Sequence, residues 1–306
     1  MAVINIDDAY ILNETGAQVD KVTGLYFKDE STSAAEKAFA QLNIGTAGSN
    51  RNLLDNPWFT VNQRGVNGTI ANGQYGLDRW MAGGGTVTMA TGGITLGAGN
   101  SYALQRPANK EIFNGKTVTM SVMTDDGVIE SGTVVAQTGA AKAVRTANFE
   151  LCIGYTAYGS FYFYNTSSSV KTVIAAKLEL GSVSTLANDV PPDYGEELAK
   201  CQRYFLRIYG DPIGTGYIAS GLGTVFILVP TGVTMRAKPT VSYSGAFSVR
   251  VQGSTISVSA MTFATPAHTG GGVGIVCTLS SNAGSVGTCA MYPNQATAYI
   301  DLSADL

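Results

Sequence analysis

The feature that most limits how this chain can fold is a short-range rhythm in which apolar residues alternate with hydroxyl-bearing ones, interrupted by glycine, asparagine or aspartate. Val118, Met120 and Val122 alternate with Thr117, Thr119 and Ser121, and Phe149, Leu151 and Ile153 with Glu150, Cys152 and Gly154. A period of two places each set on one face of a strand, one face dry and the other wet. Thr124-Asp125-Asp126-Gly127 reads as a hairpin turn, because Asp-Gly suits the left-handed conformations that a tight turn requires. Ile174, Ala176, Leu178 and Leu180 form a further strand with Lys177 and Glu179 outward. Beyond residue 211 the rhythm resumes in Val225, Ile227 and Val229, halted by Pro230, and in Phe247, Val249 and Val251. Val273, Ile275, Cys277 and Leu279 continue it, and Ala298, Ile300 and Leu302 follow. So many short strands joined by turns predict a mainly β chain of two sandwich or jelly-roll domains. The two β regions share no residue-level repeat.

One helix interrupts the pattern. Leu198, Cys201, Phe205 and Ile208 fall at helical spacing, Asp193 with Glu196 three residues on forms a capping box, and Pro191 and Pro192 end the preceding strand. Glu196 and Lys200 stand in the favourable i,i+4 order. The expected domains are therefore residues 1–50, an N-terminal segment with a short helix; 51–190, a sandwich like a carbohydrate-binding module; 191–210, a connecting helix; and 211–306, a second β-sandwich. In the first segment Ser33-Ala34-Ala35-Glu36 opens a short helix whose apolar positions are Ala35, Phe39 and Leu42. So short a helix is marginal alone. Its stripe needs either identical copies of the chain or a place against the next domain.

Composition excludes several functions. Charged residues are 13% of the 306, against roughly a quarter in ordinary domains, so Ser, Thr, Asn, Gly and Tyr must cover the surface. A net charge of −3 with scattered Lys and Arg gives no footprint for nucleic acid. No stretch approaches the roughly 18 apolar residues of a membrane span, and MAVINIDDAY lacks a signal peptide's basic and apolar regions. Synthesis in a cytosol is expected, with no membrane insertion. Cys152, Cys201, Cys277 and Cys289 show no metal-ligand spacing. Cys277 and Cys289 could pair across neighbouring strands, but a reducing compartment favours four buried thiols. Neither metal nor cofactor is expected.

Residues for catalysis are sparse. His268 is the only histidine, in a loop with no carboxylate nearby to complete a triad. Asp78, Asp125, Asp126, Glu130 and Glu150 are the acids a glycosidase pair would draw on, yet the turn accounts for Asp125 and Asp126 and a strand's outer face for Glu150. Gly83-Gly84-Gly85 and Gly270-Gly271-Gly272 lack a phosphate loop's GK[ST] ending and read as loop tips. Asp78-Arg79-Trp80 has two readings: Trp80 stacks on a sugar ring with Asp78 accepting its hydroxyls, or the cluster lies inside as core tryptophan and ion pair. In Tyr158-Gly159-Ser160-Phe161-Tyr162-Phe163-Tyr164, alternation sends Phe161 and Phe163 one way and Tyr162 and Tyr164 the other. Tyr158, Tyr162 and Tyr164 are thus candidate ligand contacts, with a subunit interface or an ordinary sheet surface as the alternatives.

Three groups of motifs carry a family resemblance. The first is Asn52-Leu53-Leu54-Asp55-Asn56, Gln63-Arg64-Gly65 and Asp78-Arg79-Trp80, in that order. The second is Lys177-Leu178-Glu179-Leu180-Gly181-Ser182 followed by Tyr194-Gly195-Glu196-Glu197-Leu198-Ala199-Lys200-Cys201-Gln202-Arg203-Tyr204-Phe205. The third is Met235-Arg236-Ala237-Lys238-Pro239-Thr240-Val241 with the ending Ser303-Ala304-Asp305-Leu306. Together they resemble bacteriophage and prophage tail-fibre and receptor-binding proteins. The resemblance implies a trimeric virion fibre, bound to other virion proteins through residues 1–50, that attaches to a host surface glycan without catalysis. A head fibre or capsid decoration protein and a capsule-degrading depolymerase are the alternatives.

Overall fold

A computed structural model describes residues 3–5, 10–12, 18–21, 49–107, 112–137, 139–155, 160–218, 223–263, 272–284 and 287–305. The expected helix bearing Ala35, Phe39 and Leu42, the candidate Tyr158, His268, Gly270 and Gly271 lie outside the described residues. The chain divides into two compact units, residues 1–49 and 50–306. In the first, β1 (Val3–Asn5), β2 (Tyr10–Leu12) and β3 (Gln18–Lys21) form an antiparallel meander.

The second unit begins with β4 (Gly68–Ile70), β5 (Met81–Gly84), β6 (Val87–Ala90), β7 (Gly93–Leu96), β8 (Ser101–Gln105), β9 (Thr117–Thr124), β10 (Ile129–Val135), β11 (Lys142–Arg145), β12 (Phe149–Tyr155), β13 (Ser160–Asn165) and β14 (Lys171–Leu180). They form a six-stranded sheet ordered β10-β9-β14-β7-β6-β4 and a five-stranded sheet ordered β11-β12-β13-β8-β5. Val87, Ile94, Val118, Met120, Val122 and Leu178 from one sheet meet Ala103, Phe149, Leu151, Ile153, Phe161 and Phe163 from the other in a single core. Trp80 fills its centre, its ring 5.2 Å from that of Phe59 and 5.7 Å from that of Phe163. Burying aromatic rings of this size supplies much of what holds such a sandwich together.

Two local expectations need correction. Strands β9 and β14 are buried on both faces: Thr119, Ser121, Lys177 and Glu179 are as inaccessible as the apolar residues between them. The covering layer is the segment after Gly181, with a 3-10 turn at Leu186–Asn188, which the period of the strand itself cannot reveal. The charges are compensated there. Lys177 Nζ reaches Asp189 at 2.6 Å and Thr185 Oγ1 at 2.8 Å, and Glu179 accepts from the Thr185 amide at 2.8 Å. A bulge between Val173 and Ala175 also shifts the alternation. It turns Val173, Ala176 and Leu178 inward and leaves Leu180 exposed.

The helix α1 spans Tyr194–Gln202, with Asp193 capping it by accepting the Glu196 amide at 3.0 Å. It stops short of residue 208. Phe205–Ile208 is instead strand β15, paired with Ser303–Ile300. The helical face is Glu197 and Cys201, and Lys200 pairs with Glu197 at 3.0 Å rather than with Glu196.

The remaining strands are β16 (Gly214–Ile218), β17 (Thr224–Pro230), β18 (Thr240–Ser244), β19 (Phe247–Val251), β20 (Ser254–Phe263), β21 (Gly272–Leu279), β22 (Gly287–Pro293) and β23 (Tyr299–Ser303). The second sandwich expected here is a closed barrel, β16-β17-β21-β20-β19-β22, beside a three-stranded sheet β15-β23-β18. Closure comes from β22 pairing with both β16 and β19. It removes the exposed edges a sandwich would leave. Inside lie Val225, Ile227, Val229, Val249, Ile275 and Met291. All four cysteines are free and buried, and Cys277 Sγ lies 3.6 Å from Met291 Sδ.

Candidate functional site

Two constellations concern the residues singled out in the sequence. The first is a buried seam where the loops before β5 meet α1, β15 and the chain's last residues. Asn56, fully buried with φ of 51°, donates from Nδ2 to the carbonyls of Val61 and Asp78 at 2.9 and 3.0 Å. Its own carbonyl accepts from Trp80 Nε1 at 2.9 Å, and its amide donates to Glu197. Asp78 accepts from the Gln63 amide at 2.6 Å and from Gln63 Nε2 at 2.8 Å, and that same Nε2 donates to the Phe205 carbonyl at 2.8 Å. Arg64 lies 3.7 Å from Asp78, pairs with Asp305, and stacks its guanidinium 3.6 Å from the Phe205 ring centroid. Arg79, wholly buried, stacks 3.4 Å over Tyr204 and pairs with Asp55 at 3.1 Å. Arg207 forks onto Asp301 with two bonds of 2.7 Å and donates to the Arg64 carbonyl.

This arrangement sets the ionisation of the group at its centre. Burial pushes the Asp78 carboxyl up, against the pull of Arg64 and the two Gln63 bonds. The bonds to Asp301 hold the Arg207 guanidinium more firmly charged. Asp78 and Trp80, read from sequence as candidate sugar contacts, offer nothing to a ligand, since both are 0% exposed. Their chemistry is spent inside. The motifs Asn-Pro-Trp, Gln-Arg-Gly, Asp-Arg-Trp, Arg-Tyr-Phe and Ser-Ala-Asp, far apart in sequence, converge on this seam.

The second constellation is the outer face of the five-stranded sheet. Alternation along β13 sends Phe161 and Phe163 into the core and leaves Tyr162 and Tyr164 half-exposed. Tyr164 stands opposite Tyr102 of β8, and Tyr162 opposite Cys152 and Leu104. The rings of Tyr102 and Tyr164 lie 4.2 Å apart, those of Tyr162 and Tyr164 5.3 Å, and those of Tyr102 and Tyr162 6.0 Å. Three aromatic rings thus form a continuous uncharged strip, bordered by Glu150 opposite Arg145. Burial, then the charge interaction with and bond to Tyr102, pushes the Tyr164 hydroxyl up to about 12, and burial with a bond to Cys152 raises that of Tyr162 as well. Both hydroxyls stay neutral in physiological media.

Tyr102 was not legible as a site residue from sequence. The signal was present in Ser101-Tyr102-Ala103-Leu104, which alternates like its neighbours. Gly83 and Gly84, expected in a loop tip, belong to β5 and lie under the Tyr102 ring. A Cβ on Gly83 would sit 1.9 Å from Tyr102 Cε2, and one on Gly84 2.6 Å from Cε1. The absence of side chains there lets the ring lie flat against the sheet. Among the described acids, Glu130 is taken up by Thr146 and Asn148, and Asp126 by Thr124 and Val128.

No known protein-family profile matches this chain, and no curated protein matches it. Among solved structures it is similar to the N-terminal CBM22-1-CBM22-2 tandem domain of Paenibacillus barcinonensis Xyn10C. That match has 11% identity and a TM-score of 0.22, and covers 84% of this chain and 99% of the other. At that score nothing is carried over from it.

Proposed function

We propose that this chain is a bacteriophage tail-fibre or receptor-binding protein, carried on the virion as a homotrimer, that attaches without catalysis to a host cell-surface glycan. The observation that carries the reading is the strip of Tyr102, Tyr162 and Tyr164 on a rigid sheet. Flat apolar rings with neutral hydroxyls at their tips suit the mixed surface of a saccharide. The side chains are fixed by strand pairing and by one another, so little ordering entropy is lost on binding. Such a face is shallow, and each copy binds weakly. Three copies on one fibre turn weak contacts into stable adhesion. Residues 1–50 supply the attachment to other virion proteins, and the sequence resemblance supplies the phage context.

The test is adhesion of fluorescently labelled protein to host cells, alongside binding to an array of isolated surface glycans. Changing Tyr102 and Tyr164 together to Ser should lower glycan affinity by about tenfold or more, roughly 1.4 kcal/mol, with an unchanged circular dichroism spectrum. Light scattering should give three times the chain mass of 31.9 kDa. Adhesion unaffected by the double change, or release of reducing ends from the polysaccharide, would refute the reading.

A further inference from the structure

A cleft of about 280 Å³ opens where residues 51–58, Pro107, Ile112 and Phe113, the segment before α1 and α1 itself come together. It shares no residue with the tyrosine strip. Its apolar surfaces include half-buried Trp58 and Pro192, buried Pro107 and exposed Ile112. Three carboxylates line it, and each is already engaged: Asp55 by Arg79, Asp189 by Lys177, and Glu197 by the Asn56 amide and Lys200. Asn52 is engaged too, donating to the Ala176 carbonyl and accepting from the Leu54 and Leu178 amides. Arg51 is different. It is exposed and makes no hydrogen bond or ion pair among the described residues. Arg51 is thus the lining cation whose charge no carboxylate of the cleft answers, with its five donors open, and Lys200 keeps donors beyond its bond to Glu197.

We infer that this cleft binds a single acidic sugar unit, its carboxylate held by Arg51 with Lys200 in support and its ring face laid on Trp58. A planar guanidinium matches a carboxylate with two parallel bonds. An indole is the strongest of the aromatic partners for a C–H-rich ring face. The volume lies just under the roughly 300 to 1,000 Å³ of drug-sized pockets, which suits one ring rather than a chain. A neutral sugar would leave Arg51 unanswered, and a simple anion would leave Trp58 bare. The choice of a sugar rests on the attachment reading, but the site and its signal are independent of the tyrosine strip.

The protein has two tryptophans, and Trp80 is inaccessible, so a ligand-induced change in emission reports Trp58. The full-length chain is titrated with galacturonate oligosaccharides, with neutral cello-oligosaccharides of equal length, and with citrate. The uronates should change the emission with millimolar affinity. Arg51→Gln, at an exposed position that the fold does not use, should weaken that binding about tenfold or more, and added salt should weaken it further. Trp58→Phe should abolish the signal and reduce affinity measured by calorimetry. Tyr102→Ser with Tyr164→Ser should leave it unchanged, which separates this site from the strip. No response up to about 10 mM, equal responses to neutral sugar or citrate, or an unaffected Arg51→Gln would each overturn the assignment.

Discussion

Replacing Arg64 by Ala should destabilise the unit of residues 50–306 by about 3 to 5 kcal/mol at neutral pH. The magnitude follows from what the side chain touches. It faces two carboxylates, Asp78 and Asp305, whose side chains are only 1% and 5% exposed, and it is itself 12% exposed. Removing one partner of a buried pair leaves an uncompensated charge. A desolvated stack such as the one on Phe205 contributes about 2 kcal/mol within that total. At about 2 to 4 °C per kcal/mol for a unit of this size, the melting temperature should fall by roughly 6 to 20 °C.

The loss should also depend on pH, in one direction. The native pKa of Asp78 is raised above its ordinary 3.8 by burial, and Arg64 is the first-ranked influence opposing that rise. Without Arg64 the native pKa climbs further. The native state then holds a proton that the unfolded state has released, so stability falls as pH rises through that window and recovers as pH falls. The deficit of the variant relative to the parent should therefore be largest near pH 7.5 and smaller at pH 5. Calorimetric scans of both proteins at the two pH values measure it. A drop under about 2 °C at pH 7.5, or a deficit that grows on acidification, would refute the account of the seam.

Gly83→Ala tests the strip without dismantling the fold. The new methyl would lie 1.9 Å from Cε2 and 2.5 Å from Cδ2 and Cζ of Tyr102, so the whole ring must swing away, at a cost of about 1 to 3 kcal/mol, and glycan binding should drop with it. Lys177→Ala should cost about 3 to 5 kcal/mol in urea unfolding at pH 7, because it leaves Glu179 and Asp189 facing each other under the cover of residues 181–189. Lys177→Met with Glu179→Gln should recover part of that loss.

The strands were legible because their pattern is local. Val118, Met120 and Val122, or Val225, Ile227 and Val229, point inward wherever the partner strands lie. Closure of the C-terminal strands was not legible, since it depends on β22 finding both β16 and β19. The burial of Lys177 and Glu179 was hidden for a similar reason: a strand's own period cannot show that a later loop folds over its polar face. Phe205 and Ile208 satisfy helical spacing with Leu198 and Cys201, and only pairing with β23 resolves them as strand. At the candidate site, Tyr162 and Tyr164 followed from alternation against Phe161 and Phe163. Tyr102 did not, because its contribution depends on strand neighbours that are distant in sequence and on two glycines across the sheet.

The most distinctive sequence motifs form the seam, and the tyrosine strip is built from ordinary alternation. Energetics explain why an attachment protein would be organised that way. Burying Arg79, Asp78 and Arg64 is a poor route to stability, because an apolar cluster of equal volume would serve as well or better. What the Arg207 fork, the fully used Asn56 amide and the two bonds from Gln63 Nε2 provide is a single geometry, since each of these donors meets its acceptors inside the protein. Weak sites add up only when several reach their ligands at once, and that gain vanishes if their relative positions do not match the target. On the attachment reading, the buried polar seam therefore governs adhesion without touching a sugar: it sets the direction in which the tyrosine strip is presented.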